Sequence, residues 1–210
     1  MTAGRTGVAI TGALIVLATL SACTASSPNS VSPDEAPNAP TTTTRVPRLV
    51  DESDRPLVAF DPCLDIPDDV LAAAGYDPNS EENADFAATH YTMLGCSYDG
   101  VLKSPGVAAY GLTVRSANFD WAIELQKTAD HGDDVTPSEI AGRRALMKTN
   151  QSLPERCGMS VETSYGVLIF AQVLFGKGGA RVPEVQWCSG LEDTVQRIVA
   201  VLDDFETRSR

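Results

Sequence analysis

Histidine is nearly missing from this sequence, in which His90 and His131 are the only two among 210 residues. The sequence also has no His-Glu-x-x-His pair, no Gly-x-Ser-x-Gly elbow and no Ser-x-x-Lys pair. The glycine-rich segment at Gly176 includes Lys177, but it lacks the spacing and the hydroxyl residue of a phosphate-binding loop. These absences exclude the common sequence signatures of hydrolases and nucleotide-binding proteins, so we predict a protein that is not an enzyme.

Basic residues are scarce as well. The 16 Lys+Arg residues face 28 Asp+Glu residues, which gives a net charge of −12. Such a surface repels phosphate backbones and anionic lipid headgroups, so we expect no nucleic-acid binding. Apolar residues make up 43% of the chain, which is enough to form a real hydrophobic core.

What the sequence does contain is an export signal at its start. An apolar run at residues 8–20 follows a short region whose only charged side chain is Arg5. This arrangement is typical of a secretory signal peptide and is too short for a stop-transfer helix. The run ends in Leu-Ser-Ala-Cys, which resembles a bacterial lipobox, in which Cys23 receives a diacylglyceryl group and becomes the new N-terminus. We predict a signal peptide at residues 1–22 and a lipid anchor at Cys23 on the extracytoplasmic face of the cell membrane; the alternative is an ordinary signal peptide with a chance cysteine.

The next segment has the composition of a spacer. Pro, Ser, Thr, Asn and Ala dominate residues 24–56, and residues 41–44 are four threonines. Too little apolar surface is available here to offset the entropy of ordering the chain. We therefore predict that residues 23–56 form the lipidated cysteine and a disordered tether. The threonine run is either plain spacer or a site for O-linked sugar.

A single domain is predicted at residues 57–206, followed by a tail at 207–210. Helical spacing of apolar residues predicts helices over 67–74, 118–129 and 191–205, with Asn118 as the cap of the second helix and a loop at 130–134. Alternation or apolar runs predict strands over 91–98, 107–115, 142–148, 156–165 and 167–175. The order of elements predicts an α+β fold: an antiparallel sheet of about four to five strands with helices packed on one face.

Four cysteines remain once Cys23 is set aside for the lipid: Cys63, Cys96, Cys157 and Cys188. An even number in an exported protein predicts two disulfides. Zinc is the alternative, but the sequence has no Cys-x-x-Cys pair. Three connectivities are open to four cysteines. We favour Cys63–Cys96 with Cys157–Cys188, since these bonds would join the first helix to the first strand and a core strand to the last helix.

Together these features resemble a known family. The motifs are the lipobox and tether, Asp61-Pro62-Cys63 before a short helix that ends at Gly75, Gly95-Cys96-Ser97-Tyr98, and the late cysteine pair. The sequence is similar, over about residues 56–203, to actinobacterial envelope lipoproteins that include the mycobacterial Lpp/Lpr-type lipoproteins. These proteins share a domain with no assigned function, so the resemblance implies a common scaffold and says nothing of catalysis.

Two acidic clusters and one set of aromatic residues remain as candidate sites. The clusters, which could offer carboxylates to Ca²⁺, are Glu81, Glu82 and Asp85, and Asp130, Asp133 and Asp134. Neither cluster follows the EF-hand pattern, so we expect solvated loops and no bound metal or cofactor. The aromatic residues that could line a ligand groove are Trp121, Trp187 and Tyr110, with core packing as the alternative.

Three functional hypotheses follow. We favour a non-enzymatic envelope lipoprotein that binds a small ligand, a wall component or an envelope protein. The second hypothesis is an envelope hydrolase whose catalytic residues are dispersed along the chain, although the even cysteine count argues against a free thiol nucleophile. The third is a regulatory or sensory accessory protein.

Overall fold

The computed structural model describes residues 48–101 and 105–208, all within one compact unit. The predicted signal peptide, the lipidation site Cys23 and the tether up to residue 47 lie outside the described residues. Within the two described ranges, no helix combines the length and the apolar composition that crossing a membrane requires.

In the described part of the chain, eight strands form one antiparallel sheet: β1 (Glu82–Asn83), β2 (Phe86–Ala88), β3 (Tyr91–Asp99), β4 (Val107–Ala117), β5 (Asp134–Ile140), β6 (Arg143–Thr149), β7 (Arg156–Glu162) and β8 (Val167–Gly176). Their order across the sheet is β1-β3-β4-β8-β7-β6-β5, and β2 also pairs with β3. The antiparallel sheet is confirmed, but the predicted four to five strands are too few. The missed strands are β1 and β2, which have two and three residues, and β5.

The described residues form four α-helices: α1 (Pro62–Asp65), α2 (Asp68–Ala73), α3 (Trp121–His131) and α4 (Leu191–Arg208). The prediction that Asn118 caps the helix now labelled α3 is wrong. Asp120 is the cap, since its Oδ1 accepts a hydrogen bond of 3.0 Å from the Ile123 backbone N–H. Asn118 instead accepts from the Thr92 N–H at 2.8 Å and donates to Asp51 at 2.7 Å.

The helices lie on both faces of the sheet, so the prediction of helices on one face is also wrong. Leu168 and Phe170 of β8 belong to the main core, together with buried residues of α4. Val167 and Ile169, which alternate with them along the strand, belong to or pack against a second cluster that contains Trp121 of α3. Because neighbouring strand residues point to opposite faces, α3 and α4 cover opposite sides of the sheet. The continuous apolar run of β8 is the consequence of this burial from both sides.

Both disulfides form with the favoured pairing. Cys63–Cys96 joins α1 to β3 with Cα atoms 5.3 Å apart, and Cys157–Cys188 joins β7 to the segment before α4 with Cα atoms 5.1 Å apart. The bonded cysteines are 33 and 31 positions apart in the sequence. In the chain-entropy account, each bond stabilises the fold by about 3–4 kcal/mol.

Residues 48–56, which the sequence assigns to the tether, make specific contacts with the domain. Arg48 forms ion pairs with Asp85 at 2.7 Å and with Asp61 at 3.1 Å. Asp51 accepts hydrogen bonds of 2.7 Å from Thr92 and from Asn118. The polar residues of this segment contact polar residues of the domain, and those partners are distant in sequence.

Candidate functional site

A cavity of about 260 Å³ opens where the start of α4 meets β4 and β8. Its lining includes Tyr76 from the segment after α2, Tyr110 of β4, Gln172 of β8 and Thr194 of α4. All the lining residues are uncharged, although 21% of the chain is Asp, Glu, Lys or Arg. Most of the lining surface is contributed by apolar atoms, with a few polar groups among them, which is the usual composition of a small-molecule site.

Tyr76 is placed in the wall by the end of α2. The helix ends at Ala73, Gly75 then turns the chain sharply with a φ of 92°, and the Tyr76 N–H donates to the Leu71 carbonyl at 3.0 Å. The side chain is 2% exposed, and its hydroxyl donates to Gln172 Oε1 at 3.2 Å. Burial raises the pKa of Tyr76 well above its usual value, so the hydroxyl stays neutral.

Gln172 connects the sheet to the segment before α4. Its side chain is 2% exposed, and its Nε2 donates to the carbonyls of Trp187 at 2.9 Å and Ser189 at 3.3 Å. Gln172 pairs across the sheet with Cys157, whose disulfide to Cys188 fixes the same segment covalently. This wall of the cavity is therefore held by one covalent bond and two hydrogen bonds.

Tyr110 of β4, the strand next to β8, also lines the cavity. Its hydroxyl donates to the Gly75 carbonyl at 2.7 Å, and its ring meets the Tyr76 ring edge-on with centroids 5.4 Å apart. A Cβ at Gly100 would collide with the Tyr110 ring, so glycine at this position makes room for the ring. Both tyrosine rings are thus fixed in place before any ligand arrives.

The structure does not bring the three predicted groove residues together. Tyr110 lines the cavity, whereas Trp187 is 5% exposed and donates its indole N–H to the Val182 carbonyl at 2.9 Å. Trp121 lies on the other face of the sheet, in the second cluster. Sequence reasoning missed Tyr76 and Gln172; the available signal was a single glutamine inside the apolar run of β8.

The acidic clusters are used to hold the fold. Asp85 accepts from the Gly95 N–H at 2.8 Å and pairs with Arg48, while Asp133 accepts from Asn150 at 2.9 Å. In residues 48–101 and 105–208, one trio of potential ligand atoms lies close enough for a metal, and two of its members are the bonded sulfurs of Cys63 and Cys96. Within these ranges, the carboxylates of neither acidic cluster are gathered into such a trio.

A second cleft, of about 440 Å³, lies between the end of α3 and the β6–β7 hairpin. Charged residues line it, but Lys148 pairs with Glu124 of α3. Asp133 of this cleft is bound by Asn150. Because these polar groups are partners of the fold itself, we regard the uncharged cavity as the better candidate.

A family model described as "Protein of unknown function (DUF3558)" matches residues 18–200. No curated protein and no solved structure matches the chain.

Proposed function

The chain belongs to the DUF3558 family of proteins of unknown function, and we propose that it is an exported lipoprotein whose domain binds a small uncharged ligand. The observation that supports this function is the uncharged cavity at the start of α4, with Tyr76, Tyr110 and Gln172 fixed in its walls. A site whose walls are already ordered loses little conformational entropy when a ligand binds.

The chemistry of the lining favours binding over catalysis. General acid–base catalysis needs a group whose pKa lies near the working pH. The polar side chains of this lining are those of tyrosine, glutamine, serine and threonine, which do not ionise near neutral pH. We therefore infer a non-enzymatic ligand-binding module.

We also propose that the protein is anchored in the cell membrane on its extracytoplasmic face, through acyl chains on Cys23. The lipobox-like segment Leu20–Cys23 supports this, and so do the two disulfides, since such bonds persist in oxidising compartments. Its relatives are then envelope lipoproteins of actinobacteria, of the mycobacterial Lpp/Lpr type. More than one acyl chain is needed for durable attachment.

Two matched variants of the mature lipoprotein in detergent test the binding site. Ser189 is an exposed residue of the cavity lining, and Ser152 is an exposed residue of the second cleft. Neutral, anionic and cationic small molecules are screened by calorimetry. We expect to find ligands whose binding is abolished by Ser189→Phe and unchanged by Ser152→Phe. Ligands insensitive to Ser189→Phe, or none at all, would refute the site.

The anchor is tested by growing the producing cells with radiolabelled palmitate. Wild-type protein should take up label and fractionate with membranes, and Cys23→Ala should do neither. Equal labelling of the two proteins would contradict the anchor while leaving the ligand site untouched.

A further inference from the structure

The hydrogen bonds around the cavity, together with its lack of charged residues, indicate which class of ligand it prefers. We propose that its ligand is a neutral single ring carrying hydroxyl groups, which donate hydrogen bonds to the side-chain oxygen of Gln172. This inference deepens the proposed function and rests on it.

The first argument is the use of side-chain hydrogens around the cavity. The Tyr76 hydroxyl donates to Gln172, the Tyr110 hydroxyl to the Gly75 carbonyl, and the Thr194 hydroxyl to the Gly190 carbonyl. Both hydrogens of the Gln172 amide are directed at backbone carbonyls. An amide oxygen has two lone pairs and accepts one bond here, from Tyr76. The side chains of Gln186 and Ser189, which are more exposed, also line the cavity and carry hydrogens. The buried polar groups favour a ligand that donates.

The second argument is charge. A charged ligand group placed here would lose its water and meet uncharged side chains, and burying an unpaired charge is costly. For an anion, the net charge of −12 adds repulsion during approach. Neutral molecules avoid both penalties.

The third argument is size and shape. Ligand pockets usually enclose about 300–1,000 Å³, so a cavity of about 260 Å³ suits one ring rather than a chain of rings. Val107, Leu174 and the edges of the two tyrosine rings supply apolar contacts. A ring with an apolar face and hydroxyl groups at its rim matches this combination.

The experiment is calorimetric titration of the mature lipoprotein with matched probes. The neutral set is glucose, galactose, mannose, myo-inositol and phenol. The charged set keeps the rings: glucuronate, galacturonate, mannosamine, inositol phosphate and benzoate. We expect at least one neutral probe to bind about tenfold or more tightly than its charged counterpart, with binding lost in Ser189→Phe and kept in Ser152→Phe.

Donation by the ligand is tested from both sides. O-methylation of the bound probe, and Gln172→Met in the protein, should each weaken binding about threefold to tenfold, the worth of one hydrogen bond. The methylated probe gives this result even if Gln172→Met fails to fold. Unchanged affinity of every methylated probe would overturn the inference.

The remaining outcomes separate the two proposals. If a charged probe binds more tightly and Ser189→Phe abolishes it, the ligand inference is overturned and the binding function stands. If no probe of either set binds, or binding ignores Ser189→Phe, both proposals fail.

Discussion

The attachment of α3 to the sheet depends on a buried ion pair, and removing the lysine of this pair should be severe. Glu124 is 2% exposed, and its carboxylate contacts the Lys148 ammonium and the hydroxyl of Ser160, which is fully buried. Lys148→Met would leave the Glu124 carboxylate buried with no opposite charge beside it in these contacts. Breaking a buried pair in this way costs about 3–5 kcal/mol.

A second variant separates the stability cost of the unpaired charge from the cost of lost packing. In Glu124→Gln/Lys148→Met the buried charge is gone, and the Gln side chain can still hydrogen-bond to Ser160. Because replacing both charges is often close to neutral, the double variant should recover about 2 kcal/mol or more of the single variant's loss. Arg144→Met is the matched control, since the Arg144–Glu162 pair is solvent-exposed and should contribute little to stability.

The assay is equilibrium unfolding in guanidinium chloride together with thermal melting, with both disulfides intact. At about 2–4 °C per kcal/mol for a domain of this size, Lys148→Met should melt about 6–20 °C below wild type. A loss under about 1 kcal/mol, or a double variant no more stable than the single one, would refute the view that α3 is held by a charge that requires its partner.

Three further predictions concern other parts of the domain. Burial would by itself raise the pKa of Asp51, but hydrogen bonds from Ser53, Thr92 and Asn118 outweigh this effect and hold the pKa well below its ordinary 3.8. The bonded carboxylate therefore stabilises the fold above pH 3.8. This contribution is lost as the pH falls through the pKa of the folded state. Because Asp51 is only partly buried, solvent screens this contribution, and Asp51→Asn should cost about 1 kcal/mol or less at pH 7. The variant should also make thermal stability less dependent on pH below 4; an unchanged acid profile would contradict this. Removing the Cys157–Cys188 bond with two Cys→Ala changes should lower the free energy of unfolding by about 3–4 kcal/mol and weaken ligand binding. The same change at Cys63–Cys96 should lower stability as much and leave ligand binding unchanged. Equal ligand binding in both variants would contradict a role of the Cys157–Cys188 bond in holding the cavity wall. The hydroxyl of Thr128 is buried and has no hydrogen-bond partner among the described residues, so Thr128→Val should stabilise the protein by about 1 kcal/mol in urea unfolding, and a loss would reveal a partner such as water.

Where one physical signal dominates a segment, the sequence predicted the structure well. β3, β4, β8 and α4 were found within a few residues because the period of their apolar residues is set by burial on a sheet or helix face. The disulfide pairing followed from which elements the cysteines flank. β5 was missed because it is an edge strand that pairs only with β6, and most of its residues are exposed. Pro137 within it also argued against a strand.

Errors of a second kind arose where two residues of similar chemistry compete for one role. Asn118 and Asp120 are both good helix caps. The choice fell to Asp120 because Asn118 is needed by Thr92 and Asp51, which are distant in sequence. The opposite placement of α3 and α4 was hidden in the same way. On one face of the sheet, Glu124 of α3 contacts Lys148 and Ser160, and on the other face the apolar residues of α4 pack in the main core.

The cavity is the feature that local pattern was least able to reveal, and the reason is physical. Its walls come from the segment after α2, from β4, from β8 and from the start of α4, and each segment uses most of its residues for the core. Only Gln172 departed from its surroundings. A buried amide must find partners for its two hydrogens and its oxygen, or its burial would be costly. Those partners are Tyr76 and the carbonyls of Trp187 and Ser189, so one polar residue in an apolar strand joins β8 to the segment after α2 and to the segment before α4, beside the uncharged cavity.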